Sequence, residues 1–228
     1  AISELGIPLI EDCSQSYGAQ GRQVAASTGA QVAGNNGGFT ILGLEERDML
    51  TSGGGALLYA FNRRDSTVLK NMGELPPEYG LPDMNAAMGV VQFREAQKNL
   101  ERRREIAKIY NQAASRTRHK CFIQPREVSP TYQDAQSQDD QSQEDRYNNY
   151  AFSLILESGM KDVKAYARRK EIIVESAFEN TLAGSGMVPK EQCPEACSLS
   201  LRTVLFPLYP RLRTEEVERV SKLIVTLP

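Results

Sequence analysis

The sequence predicts an α/β fold, and three observations support that prediction. Short apolar runs typical of strands recur along the chain, at 7–10, 39–44, 56–60, 150–157, 172–174 and 203–206. Segments with helical spacing of apolar residues follow most of these runs. One helical segment near the middle of the chain is long enough to connect two domains. Strands that alternate with helices are typical of the α/β or α+β class.

The first predicted strand is the apolar run 7–10, which is followed at once by Glu11 and Asp12. We expect this strand to be buried and to present a carboxylate at its C-terminal end. Two further strands are predicted at 39–44 and 56–60, joined by a loop that ends in three consecutive glycines.

Helical patterns account for most of the remaining chain. A short helix is predicted at 63–72, and a long helix runs from Pro82 to about Ser115, with apolar residues at three- and four-residue steps over much of its length. Three later helices are predicted at 160–170, 191–200 and 214–225. In the last of these, Thr214 is expected as the N-cap, and Glu216 adds a favourable charge to the first turn.

The long helix divides the chain into two predicted domains, 1–115 and 116–228. Within the second domain, residues 132–146 are nearly all Gln, Asp, Ser and Glu. Such a segment cannot bury enough apolar area to offset the entropy lost on ordering, so we predict a mobile loop there.

Composition excludes several classes of function. The formal net charge is -2, which gives no electrostatic reason to expect nucleic acid or an anionic membrane as a partner. No apolar run reaches the length that spans a bilayer, and the first residues do not resemble a signal peptide. We therefore expect a cytoplasmic protein.

The four cysteines are scattered, which argues against a disulfide framework. Cys193 and Cys197 lie four residues apart, so they could share one helix face, but a zinc site needs two further ligands. The single histidine, His119, is remote in sequence. We therefore predict free thiols and no metal site.

Three segments resemble motifs of the DegT/DnrJ/StrS family of pyridoxal-phosphate-dependent sugar aminotransferases. Residues 7–19 resemble the family run IPVIEDAAQAHGA, and residues 205–214 resemble LSLPLYPxLT. Residues 85–93, with 102–110, look like the family helix QAAIGLAQL…RR..IA..Y. The order and spacing of these motifs agree over nearly the whole chain, so the resemblance is specific as a set.

The resemblance implies an aspartate-aminotransferase-type fold. In that fold, 1–115 would be the C-terminal part of a large domain with a parallel-rich sheet, and 116–228 a small C-terminal α/β domain. It implies transfer of an amino group from an amino acid to a keto-sugar nucleotide, in polysaccharide or amino-sugar synthesis. It also implies a homodimer with the active site at the interface, and a chain that begins midway through the family's large domain.

Three residues match cofactor-binding positions of the family. Asp12 matches the carboxylate that pairs with the pyridine nitrogen of pyridoxal phosphate and keeps the ring protonated. Gln15 matches a glutamine beside the ring, and Thr40 matches a serine whose hydroxyl touches the phosphate. Each has a simpler alternative: Asp12 as a strand-end carboxylate or helix N-cap, Gln15 as a polar turn residue, and Thr40 as a common strand residue.

The lysine that forms the Schiff base in the family is missing. No lysine occurs before Lys70. Counted forward from Thr40, the lysine position falls at Glu45; counted back from the glycine run, it falls at Arg47. A carboxylate is not the required amine, and an arginine stays protonated near neutral pH. We therefore predict no catalytic residue in this chain.

Further family positions also differ. The glutamate of the family's GEGG is Gly53, the asparagine that reaches the phosphate of the neighbouring subunit is Glu78, and a following arginine is Gly80. These differences favour an aminotransferase relative without Schiff-base catalysis. Three alternatives remain: a working enzyme whose lysine is Lys70 or comes from outside the chain, a non-catalytic binding or assembly subunit, and a noncovalent binder of a sugar nucleotide.

Overall fold

The structure is a computed structural model that describes residues 5–20, 32–35, 37–73, 75–121 and 147–228. The predicted mobile loop at 132–146 lies outside the described residues. The chain divides into two compact units. The first contains the described residues up to Glu101 together with 147–150, and the second contains those from Arg102 onward apart from 147–150. The predicted domain boundary at residue 115 remains a prediction.

The first unit contains a three-stranded sheet in the order β1-β2-β3. Its strands are β1 (Ile10–Asp12), β2 (Phe39–Gly43) and β3 (Ala56–Tyr59). Strand β1 runs parallel to β2, whereas β3 runs antiparallel to β2. The described sheet is therefore mixed, and the predicted β2 and β3 are confirmed to within one residue at each end.

The first strand differs from the prediction in position and in burial. It begins only at Ile10, where the chain first pairs with β2 at Phe39. Ile7 is 58% exposed and Ile10 is 57% exposed, so the apolar run is not buried within the described part of the unit. The apolar pattern marks the segment correctly, but the hydrogen-bonding partner decides where the strand starts.

Helix α1 (Arg63–Asn71) follows β3, and the long helix α2 (Asp83–Ala114) follows a short 3₁₀ turn at Pro77–Tyr79. Both helices were predicted, and α2 agrees to within a residue or so at each end. The side chain of Asn62 caps α1 by accepting a 2.8 Å hydrogen bond from the Asp65 N–H. Such capping satisfies a helix donor that would otherwise have no partner.

The first unit buries few apolar side chains and exposes many. Its buried cluster consists of Leu42, Leu44, Leu50 and Ala96. The first turns of α2, by contrast, present large apolar side chains to solvent; Met84 is 72% exposed and Val91 is 55% exposed. Large apolar side chains are therefore exposed at several positions in the N-terminal half of α2.

The second unit contains a four-stranded antiparallel sheet in the order β4-β5-β7-β6. Its strands are β4 (Lys120–Cys121), β5 (Phe152–Ile155), β6 (Glu175–Ser176) and β7 (Thr203–Phe206). Its helices are the end of α2, α3 (Met160–Arg169), α4 (Pro194–Arg202) and α5 (Thr214–Val225). Sheets combined with helices in both units confirm the predicted mixed α/β class.

The core of the second unit forms between α2, the sheet and α5. Ile106, Leu154, Val204 and Ile224 are fully buried in this core. Tyr110 of α2 is also buried, and its hydroxyl donates a 3.1 Å hydrogen bond to the Pro207 carbonyl. Helix α2 therefore holds the segment that follows β7 in place.

The buried Arg103 adds a second hydrogen bond between α2 and the segment that follows β7. Its Nη1 donates a 2.9 Å hydrogen bond to the Leu208 carbonyl. A buried charge needs such partners because its desolvation is costly. The motif at 205–214 that resembles the family is thus fixed by the C-terminal half of α2.

Two local predictions in the second unit are wrong, and the helix predicted at 191–200 begins three residues later, at Pro194. Residues 172–174 do not form a strand, because the Ile172 N–H donates to the Ala167 carbonyl at 3.0 Å and so closes the end of α3 instead of joining a ladder. The N-cap of α5 is Arg213 rather than Thr214, since the Arg213 N–H donates to Glu216 at 2.8 Å. Ile172 and Val174 are buried without forming a strand, and the N-cap lies one residue earlier than predicted.

Candidate functional site

The C-terminal end of β1 carries an exposed carboxylate that is held in a fixed position. Asp12 is the last residue of β1, and its Oδ1 accepts hydrogen bonds from the Ser14 hydroxyl at 2.6 Å and the Ser14 N–H at 3.0 Å. The Ser14 Oγ in turn accepts a 2.8 Å hydrogen bond from the Gly43 N–H at the end of β2. Ser14 therefore links Asp12 to the neighbouring strand.

These hydrogen bonds also set the charge of Asp12. The Ser14 hydroxyl, and after it the Ser14 N–H, hold the pKa of the Asp12 carboxyl below its usual value of 3.8. Hydrogen bonds to the charged form of an acid stabilise that form. Asp12 is thus an anion at neutral pH with one oxygen engaged by Ser14, and it suits a partner that carries a positively charged N–H.

Gln15 lies in the turn that follows Asp12. The turn is closed by hydrogen bonds from the Ser16 and Tyr17 N–H groups to the Cys13 carbonyl, at 3.1 and 3.0 Å. The Gln15 side chain is exposed. The turn presents this amide to solvent beside the strand end that carries Asp12.

Asn148 anchors the same turn and was not identified from the sequence. Its Nδ2 donates to the Gln15 carbonyl at 2.7 Å and to the Tyr17 carbonyl at 3.1 Å. The side chain is buried, with 9% of its surface exposed. No signal in the sequence marks Asn148, because its partners lie more than a hundred residues away in the chain.

Thr40 lies on β2, opposite Glu11 of β1. It is 1% exposed, and its hydroxyl donates a 2.6 Å hydrogen bond to the Gly34 carbonyl. The Glu11 carboxylate accepts hydrogen bonds from the N–H groups of Gly34 and Gly37. The Thr40 hydroxyl is therefore already hydrogen-bonded to Gly34, and it could contact a phosphate only if that bond were broken.

The loop after β2 begins with a tight turn at 45–48, the segment in which the resemblance predicts the lysine position. The Glu45 N–H donates to Asp48 Oδ2 at 2.8 Å, and the Asp48 N–H donates to the Glu45 carbonyl at 3.2 Å. The side chains of Glu45 and Arg47 are exposed. The Met49 N–H donates to the Ser14 carbonyl at 3.1 Å, which ties this loop to the turn after Asp12.

The glycine run that closes this loop has a backbone that requires glycine. Gly53, Gly54 and Gly55 have φ values of +83°, +142° and +93°. Residues with a Cβ atom rarely adopt this region. The Gly54 N–H donates to the Leu44 carbonyl at 3.0 Å, so the run folds back on the end of β2.

The described residues offer neither a metal cluster nor a membrane-spanning helix. Within these ranges, no group of three or more His, Cys, Asp or Glu side chains could hold a metal ion. Of the helices that the structure describes, none is both long enough and apolar enough to cross a membrane. The single histidine, His119, is buried in the second unit and belongs to no such group.

The family model of the DegT/DnrJ/EryC1/StrS aminotransferases matches residues 2–225. The chain belongs to this family, as the sequence motifs predicted. None of the curated proteins matches the chain.

Solved structures of aminotransferases share the fold. The aminotransferase TlmJ from Streptoalloteichus hindustanus is similar with a TM-score of 0.68 and 18% identity, over 98% of this chain and 59% of that one. A DegT/DnrJ/EryC1/StrS aminotransferase from Brucella abortus gives 0.69 and 18%, over 98% and 58%. A candidate sugar aminotransferase from Streptococcus pneumoniae in its PLP form gives 0.68 and 15%, over 96% and 57%. This chain thus spans about three fifths of the length of each of these structures.

The three predicted cofactor residues lie on neighbouring elements of the first unit. Asp12 and Thr40 are on the paired strands β1 and β2, and Gln15 is on the turn after β1. Asp12 fits the pyridine nitrogen of pyridoxal phosphate by charge and exposure. The Thr40 hydroxyl is buried, and Glu45 supplies no amine, so the chain's own residues fit the cofactor only in part. The cofactor roles of all three remain predictions.

Proposed function

We propose that this chain is the C-terminal portion of a pyridoxal-phosphate-type aminotransferase for keto-sugar nucleotides that has no Schiff-base lysine of its own. We place it in the cytoplasm, in polysaccharide or amino-sugar synthesis. One observation carries the proposal: the lysine position falls at Glu45 or Arg47, in a turn closed by Asp48. Neither side chain supplies the neutral amine that covalent attachment of the cofactor needs.

Any cofactor binding then rests on noncovalent contacts. When bound, pyridoxal phosphate acts as an electron sink for the carbanion of the substrate. In this chain, Asp12 would hold the proton on the ring nitrogen, because Ser14 keeps the carboxyl ionised. Gln15 is exposed on the adjoining turn and would lie beside the ring. Without a covalent bond, we expect the cofactor to be lost on dialysis.

A titration with pyridoxal phosphate, followed by absorbance, tests this role of Asp12. We expect Asp12→Asn to weaken binding by about tenfold or more, since the variant removes the charge that pairs with the ring. Asp83→Asn is the matched control, because Asp83 is an exposed carboxylate in the first turn of α2. Equal affinity for wild type and Asp12→Asn would contradict the role assigned to Asp12.

The apolar surface of the first unit favours a second candidate function, a non-catalytic binding or assembly subunit that keeps the fold. Met84, Met88 and Val91 on α2 are exposed, together with Leu58 on β3. Burial of such side chains stabilises an association by about 25 cal/mol for each Å² removed from water. We propose that a second copy of the chain covers this surface, as the homodimers of the family imply.

Light scattering coupled to gel filtration tests the homodimer. We expect a dimer for the wild type and a monomer for Val91→Glu, because a buried carboxylate without a partner is costly. Lys98→Glu also changes a side chain of α2, at a position that is 81% exposed, and should leave the dimer intact. A monomeric wild type would contradict the homodimer. A dimer with no affinity for pyridoxal phosphate would favour the assembly subunit over the cofactor-binding protein.

A further inference from the structure

A basic groove lies on the second unit, between the ends of α3 and α5. Its volume is about 500 Å³, which is within the range of about 300–1,000 Å³ that is usual for small-molecule sites. Four of its lining side chains are cationic: Arg169, Lys170, Arg219 and Lys222. The lining contains a single carboxylate, Glu171. None of these residues belongs to the candidate site on the first unit.

Contacts within the groove orient the cationic groups. The Arg169 Cζ and the Lys170 Nζ lie 5.7 and 6.0 Å from the centroid of the Tyr166 ring, at distances typical of cation–π interactions. Arg219 Nη2 donates to the Lys170 carbonyl at 2.9 Å and contacts Glu171 Oε2 at 3.4 Å. A guanidinium has five N–H donors, so these bonds leave Arg219 able to bind a further anion.

Part of this charge is explained by the helices themselves. Arg169 is in the last turn of α3 and Lys222 is in the last turn of α5, where cations stabilise the negative end of the helix dipole. Each helix end is equivalent to about half a negative charge. After both helix ends and Glu171 are counted, an excess of about two positive charges remains in the groove.

This excess does not follow from the composition of the chain, whose formal net charge is -2. Like charges gathered in a concave surface repel one another and raise the local concentration of anions. Within the described ranges, Glu171 is the one carboxylate that forms an ion pair with any of the four cations. The residues that line the groove therefore leave it with a net positive charge that they do not neutralise themselves.

We propose that the groove binds a diphosphate group, either as free pyrophosphate or as part of a nucleotide. The cations form two pairs, Arg169 with Lys170 at the end of α3 and Arg219 with Lys222 on one face of α5. Two pairs suit two linked phosphates, because arginine binds phosphate oxygens with paired donors and lysine acts as a point charge. This site is independent of the function proposed for the first unit.

Isothermal titration calorimetry of the whole chain tests the site, with inorganic pyrophosphate and ADP as probes. We expect saturable binding with a Kd below about 1 mM at low salt, and weaker binding at high salt because the charges are exposed and screened. The double variant Arg169→Gln/Lys222→Gln should weaken binding by about tenfold or more, since it removes one cation from each pair. Lys222→Arg keeps the charge and should retain binding.

Lys161→Gln/Arg211→Gln is the matched control. It removes the same charge from exposed positions of the same unit that do not line the groove, and it should bind as the wild type does. Thermal melting establishes that both double variants are folded, and single Lys222→Gln replaces the double variant if that one melts early.

The probes distinguish the two sources of the diphosphate. Tighter binding of ADP than of pyrophosphate supports a nucleotide, and equal or weaker binding of ADP supports the free anion. No saturable binding of either probe up to about 10 mM would overturn the proposal. An equal loss of affinity in the groove variant and in the control variant would overturn it as well, because a general effect of the protein's charge would then explain the binding.

Discussion

The link between Asp12, Ser14 and Gly43 makes Ser14→Ala the most informative single substitution in the first unit. The variant removes the hydroxyl that donates to Asp12 at 2.6 Å and that accepts the Gly43 N–H at 2.8 Å. Gly43 is buried, so water cannot readily replace the Ser14 hydroxyl as the partner of its N–H in the variant. The variant leaves the bond from the Ser14 N–H to Asp12 in place.

The expected magnitude follows from these two bonds. A buried donor left without a partner costs about 1–3 kcal/mol, whereas the bond to the exposed Asp12 contributes less. We therefore expect Ser14→Ala to lower the free energy of unfolding by about 1–2 kcal/mol. The pKa of the Asp12 carboxyl should rise towards 3.8, because the Ser14 hydroxyl is the largest cause of its lowering.

Two assays measure these effects. Urea denaturation can be followed by the fluorescence of the nine tyrosines, since the chain has no tryptophan. An NMR titration of the carboxyl carbons gives the pKa of Asp12. Ser16→Ala, in the same turn, is the matched control and should change neither quantity. Unchanged stability together with an unchanged Asp12 pKa in Ser14→Ala would refute the proposed link.

Three further predictions concern other parts of the chain. Leu154→Ala should lower the free energy of unfolding by about 2–5 kcal/mol in urea denaturation, because Leu154 is fully buried, whereas Ser153→Ala should change it by less than about 0.5 kcal/mol. Burial, and secondarily Arg118, lowers the pKa of His119 below 6.5. The fold therefore favours the neutral form of His119. The contribution of this group to the free energy of unfolding should be complete above pH 6.5 and decline as the pH drops towards the folded pKa. His119→Gln should reduce that decline in melting curves recorded at several pH values. Asn148→Asp, which loses both donated hydrogen bonds, should increase hydrogen exchange in the turn at 14–18, and unchanged exchange would contradict the anchoring role.

Elements with a regular pattern could be predicted from the sequence. Helices α2 and α5 show apolar residues at helical steps, and β2 and β7 are apolar runs that become buried in the sheets. The failure at 172–174 has a physical cause. An apolar run shows that side chains will be buried, but it does not show which backbone group accepts the hydrogen bonds, and here the end of α3 accepts the bond from Ile172.

The candidate site could be predicted only where its residues are close in sequence. Asp12 lies at the end of an apolar run, which marks it as a strand-end carboxylate, and the family motif adds its role. The bonds that hold it depend on folding. Ser14 and Gly43 are 29 residues apart, and Asn148 is 133 residues from Gln15, so no local pattern marks either pair.

We expect that none of the lysines of this chain binds pyridoxal phosphate covalently. Incubation with the cofactor, reduction with borohydride and intact-mass measurement test this claim most directly, because borohydride fixes any covalent imine between lysine and cofactor. We predict an unmodified mass, and we expect the absorbance of the bound cofactor to be lost on dialysis. One reduced cofactor per chain would contradict it, and Lys70, exposed in the last turn of α1, would be the first position to map.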